Sequence, residues 1–156
     1  MKKKPVLSAV LLIAIPLAVG GLSALLTRES MADYEKLIQP PLAPPGVVFP
    51  IVWTVLFLLM GISAVLVYRA DSPQRDDAFF IWGAQLFVNF WWPVFYFRLG
   101  LRLVSFFWLW LLIVLVAVML YRFRQIRPAA ALLNIPYFLW LFFAAYLNLA
   151  TYLLNK

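Results

Sequence analysis

The side chains best placed to do chemistry in this 156-residue chain are aromatic rings and amides, because the usual catalytic groups are missing. It has no histidine and no cysteine, so imidazole and thiolate ligands for zinc, copper, iron–sulfur clusters and haem iron are absent and disulfides are impossible. All Asp, Glu, Lys and Arg residues fall outside five long uncharged stretches, which leaves no material for hydrolytic triads, paired carboxylates or proton relays within those stretches. What remains has helical spacing. Gln85, Asn89, Trp92 and Tyr96 fall at i, i+4, i+7 and i+11, and Tyr137, Trp140, Ala144 and Asn148 at i, i+3, i+7 and i+11; each set lies on one helix face. Trp53 and Phe57 form an i, i+4 pair.

An amide such as Asn89 in the middle of an apolar helix must point into a bundle, where it either bonds another helix or touches a ligand. Trp53 and Trp108, near the ends of their stretches, also suit interfacial anchoring. Trp92 and Trp140 lie deeper. Three helices that each pair an aromatic ring with a small or amide residue have the make-up of an apolar pocket with a few orienting polar groups.

The elements that must position these residues follow from composition. The chain is 66% hydrophobic and 12% charged, with a mean hydropathy of +0.95, far above the roughly 45–50% apolar content of soluble domains. Its uncharged runs cover residues 5–27, 37–68, 78–97, 103–121 and 128–155, each able to supply the ~20 apolar residues of a bilayer-crossing helix. Backbone groups in lipid must bond within their own segment, so five runs imply five helices. The reading is an all-α integral membrane protein, a single domain over residues 1–156, with spans near 5–27, 47–68, 79–97, 103–121 and 131–154. The first run is 23 residues, longer than the ~7–15 of a signal-peptide core, and is expected to be retained as a span.

Lys2, Lys3, Lys4, Arg69, Arg75, Arg122, Arg124 and Arg127 share one side of this layout; Arg28, Lys36, Arg98, Arg102 and Lys156 share the other. The bias places the N-terminus inside and the C-terminus outside a cell membrane. The net charge of +7 suits anionic lipid head groups, and no basic cluster resembles a nucleic-acid site. Between the first two spans, "QPPLAPPGVVFPIVW" (residues 39–53) holds five of the eleven prolines. Ser30 and Asp33 are spaced as a capping box for a short helix through Leu37, and the prolines are expected to run as a stiff, extended lid strap within a loop over residues 28–46. Pro136 is expected to kink the fifth helix. Gly20, Gly21, Gly61 and Gly83 are expected to permit close helix packing.

Three segments carry a resemblance: "YEKLIQPPLAPPGVVFPIVWTVLFLLMG", "QLFVNFWWPVFYF" and "IPYFLWLFFAAYLN". In order and spacing they resemble the signature segments of the TspO/translocator protein family, also called tryptophan-rich sensory or peripheral benzodiazepine receptor proteins. The resemblance implies a five-helix bundle, commonly a homodimer, that binds protoporphyrin IX-type tetrapyrroles and benzodiazepine-type compounds under the first loop, with no obligatory cofactor and no metal. Trp53, Asn89, Trp140 and Ala144 match the family's pocket positions, with Phe57, Phe90, Phe143 and Leu147 as neighbours and Tyr34 as the loop tyrosine. Where the family often has tryptophan, this chain has Asp33 and Leu42. "LATYLLNK" also fits the L-x-x-Y-x-x-x-K sterol pattern, although Tyr152 and Lys156 are ordinary residues for a helix end at the head groups. The function expected is porphyrin binding and sensing. The alternatives are light-dependent porphyrin breakdown with Trp53 and Trp140 as electron donors, and transport of porphyrin or sterol.

Overall fold

A computed structural model describes residues 6–156 and is helical throughout, with no strand among the described residues. Lys2, Lys3 and Lys4, which weigh in the orientation argument, lie outside the described residues. The helices are α1 (Val6–Thr27), α2 (Met31–Glu35), α3 (Val48–Arg69), α4 (Arg75–Pro93), α5 (Arg102–Ile126), α6 (Pro128–Leu133) and α7 (Ile135–Leu154). Short turns merge α1 with α2 and α6 with α7, giving five segments long and apolar enough to cross a bilayer. The protein is a multi-pass integral membrane protein.

The layout follows the charge-free runs, but the ends differ in instructive ways. A 3-10 turn at Arg28–Ser30 carries α1 directly into α2. The Ser30–Asp33 capping box does not form, because the backbone at Ser30 is already helical and leaves no frayed N-terminus to cap. Asp33 pairs with Lys36 at 3.3 Å instead. Pro136 sits in the first turn of α7, where its missing N–H costs nothing. The break falls at Asn134, whose amide donates to Ser63 Oγ at 2.8 Å and Ala130 O at 3.0 Å. At the end of α4, the π-helical turn Val94–Arg98 follows Pro93 and closes with Leu99 N–H on Val94 O at 3.0 Å.

Packing is uneven. Met60, Ala64, Val67, Leu109, Leu112, Val116, Met119, Phe123 and Leu141 form a fully buried core among α3, α5 and α7. By contrast, only Pro16, Ser23 and Thr27 of α1 are buried. α3 packs closely on α1 and α6 but scarcely approaches α7. The Ser63–Asn134 bond ties α3 to the α6–α7 junction, and toward Phe49 and Trp53 a wedge remains between α3 and α7.

Two of the four glycines fit the close-packing expectation. A Cβ on Gly61 would lie 2.6 Å from Ile13 Cα, and one on Gly20 would strike the Phe57 ring at 2.6 Å. Gly21 and Gly83 face open space.

Candidate ligand cavity

The wedge holds a cavity of about 650 Å³, within the ~300–1,000 Å³ of ligand sites. Each wall has a local cause. α3 contributes Phe49, Trp53 and Phe57 from successive turns, and the first two meet rings of α7 only edge-on. α4 and the π-helical turn after it contribute Asn89, Trp92 and Tyr96 from the face predicted by spacing, and α7 contributes Trp140, Ala144, Leu147 and Asn148. The fourth wall is α1, through small residues such as Gly20, Gly21, Ser23 and Ala24. Met31, Tyr34 and Glu35 of α2 close over the top, with Arg28 beside them.

Hydrogen bonds hold these walls rigid. Asn89 Nδ2 donates to Tyr137 Oη at 2.7 Å, and the Tyr137 hydroxyl donates to Gln85 Oε1 at 2.8 Å. Asn89 thus has the interhelical bond and also faces the cavity. Trp92 Nε1 donates to Asn148 Oδ1 at 3.0 Å, whose amide donates to Arg102 O at 2.8 Å. Ser23 Oγ fastens α1 to Phe90 O at 2.9 Å. Trp108 is an interhelical donor more than an interfacial anchor, since its Nε1 reaches Val88 O at 2.7 Å.

Aromatic rings line up along the cavity. Trp53 lies 6.3 Å from Trp92, Trp92 stacks on Tyr96 at 5.4 Å, and Tyr96 lies 5.8 Å from Tyr34. Trp53 also meets Tyr137 edge-on at 6.1 Å, and Phe49 meets Trp140 at 6.2 Å across the wedge. The Trp140 indole N–H is buried with no acceptor.

Of the residues singled out in the sequence, the fold brings Tyr34, Trp53, Phe57, Asn89, Trp140, Ala144 and Leu147 together on one cavity. Phe90 and Phe143 do not line it: Phe90 packs edge-on to Trp91 at 5.3 Å, and Phe143 lies between Trp140 and Tyr146. Trp92, Tyr96 and Asn148 were marked by the polar–aromatic spacing but not as ligand contacts. The α1 wall was missed outright, because that helix has no amide or aromatic ring and its few hydroxyls, such as those of Ser23 and Thr27, are a weak signal of a face.

The prolines do something other than expected. Pro40, Pro41, Pro44 and Pro45 are absent from the cavity wall, to which residues 36–47 contribute Gly46 alone. The segment is not uniformly extended either. Ala43 N–H bonds Pro40 O at 3.2 Å with Leu42 at φ 69°, the left-handed position of a type II turn. The strap is stapled to α7: the Tyr146 hydroxyl donates to Pro41 O at 2.7 Å, Ile38 N–H donates to Asn155 Oδ1 at 2.8 Å, and Asn155 Nδ2 donates to Ile38 O at 3.0 Å.

Comparison with known proteins agrees with this architecture. The sequence profile of the TspO/MBR family matches residues 12–153. The chain belongs to the TspO/MBR family. It is 32% identical to "Tryptophan-rich protein TspO" of Chlorobaculum tepidum over 97% of this chain and 98% of that one. It is 34% identical to "Tryptophan-rich sensory protein" of Cereibacter sphaeroides over 78% of this chain and 76% of that one. It is also 31% identical to "Translocator protein" of Ovis aries, over 77% of this chain and 73% of that one.

Proposed function

We propose that this family member is a membrane sensor that binds a flat, largely apolar tetrapyrrole of the protoporphyrin IX type in the α1–α3–α4–α7 cavity. The observation that carries the reading is the cavity itself: about 650 Å³ walled by Trp53, Trp92 and Trp140. Indole faces supply stacking area. The relatives named as sensory and translocator proteins support a binding role in the membrane. Benzodiazepine-type compounds are expected to compete for the same space.

The test is titration of purified protein with protoporphyrin IX in darkness, following the absorbance band and tryptophan quenching. Saturable binding that Ala144→Phe abolishes is expected. Equal binding by parent and Ala144→Phe would refute the site.

A second reading rests on the ring series from Trp53 through Trp92 to Tyr96. In light, an excited porphyrin takes one electron from a cavity indole, leaving a reduced pigment and an indole radical cation that neighbouring rings can re-reduce. Bleaching in light only when protein is present would favour this chemistry; an unchanged, shifted band would favour binding alone.

A further inference from the structure

A second recess lies outside the cavity, between the start of α5 and the end of α7. It has a volume of about 330 Å³ and is lined by residues 100–104, Tyr152, Asn155 and Lys156. We propose that it holds the phosphate-bearing head group of an anionic lipid.

Its side-chain charge is one-sided. Arg102 and Lys156 line it and no acidic side chain does. Among the described residues no carboxylate pairs with Arg102. The guanidinium is held over the Tyr96 ring, 5.8 Å from the centroid, so the donor is fixed in place before any anion arrives. A planar guanidinium matches phosphate oxygens. The first turn of α5 has no acidic residue and no side-chain cap, so its dipole adds to the same sign.

The source of the phosphate is read from the rest of the lining. Leu101, Leu103 and Val104 are 45%, 39% and 51% exposed beside the two cations. They stand where two membrane spans end. A free phosphate has no use for that apolar margin; a lipid places its glycerol and upper acyl chain along it.

The experiment compares phosphatidylglycerol with phosphatidylcholine of identical acyl chains, added to detergent-purified protein and read by native mass spectrometry and by apparent melting temperature. A basic residue near head groups is worth about a fivefold preference, so the parent should favour phosphatidylglycerol by about thirtyfold if both cations engage. Arg102→Gln and Lys156→Gln should each cut the preference about fivefold. Arg98→Gln, at the same end but outside the recess, should leave it intact. If Arg102→Gln does not fold, Lys156→Gln against Arg98→Gln still decides. Equal retention of the two lipids by the parent, or equal loss from all three variants, overturns the proposal. Inorganic phosphate giving the same Arg102-dependent protection overturns the lipid assignment.

Discussion

Adding one methyl to each of three glycines should separate three kinds of contact. At Gly61 a new Cβ would meet Ile13 Cα at 2.6 Å and Leu12 O at 3.0 Å, and backbone cannot step aside without moving α1. Overpacking of this kind costs about 1–3 kcal/mol, offset in part by the ~1 kcal/mol that alanine gains over glycine within a helix. A net loss of up to about 2 kcal/mol lowers the melting point of a chain this size by up to about 8 °C. Gly20→Ala meets the Phe57 ring at 2.6 Å; the ring can turn, but it lines the cavity. The expected result is little change in stability and weaker porphyrin binding. Gly21→Ala meets nothing within 4 Å and should melt at or slightly above the parent. Thermal scans and dark porphyrin titrations on the three purified variants are the assay. If Gly61→Ala melts like Gly21→Ala, the close approach of α1 and α3 is wrong, and with it the wall it builds.

Tyr137→Phe removes the partner of both Asn89 and Gln85 at a fully buried site and should cost about 1–3 kcal/mol; an unchanged melting curve would contradict the network. Trp53→Phe and Trp140→Phe should keep dark affinity within about tenfold, since ring stacking adds only ~0.5–1.5 kcal/mol beyond area, while light-driven bleaching falls much further. The pair Tyr146→Phe and Asn155→Ala frees the strap from α7, and stopped-flow release of porphyrin should quicken with its bound spectrum unchanged. From the lysine and arginine bias, a reporter fused after Lys156 and labels in residues 28–46 should both report from outside the cytoplasm; finding them inside would reverse the orientation.

The five spans were legible because charge is excluded from lipid, and a signal that strong leaves helix count little freedom. The α4 and α7 faces were legible for a related reason. Gln85, Asn89, Tyr137 and Asn148 cannot face hydrocarbon, so each amide or hydroxyl marks the inward side. α1 offers only hydroxyls such as those of Ser23 and Thr27, and because a helix can satisfy a hydroxyl on its own carbonyls, as Thr27 does on Ser23 O, they mark its inward face weakly. The strap was misread because proline fixes φ but not what a segment packs against. The staple comes from Asn155 and Tyr146, more than a hundred residues away in sequence.

The shallow seating of α1 bears on how long the protein lasts. α1 has only three buried residues, yet it completes one wall of the cavity, so the cavity exists only after α1 has docked. A ligand that binds the docked form alone stabilises it by mass action, by about 2.7 kcal/mol at a hundred times its dissociation constant. Undocked chains expose Ser23 and Thr27 to lipid and are the natural targets of membrane quality control. Cellular half-life should then rise with tetrapyrrole supply in the parent and stay flat when Ser23→Val removes the bond to Phe90. In such a protein abundance is itself a readout of ligand, and sensing needs no downstream conformational relay.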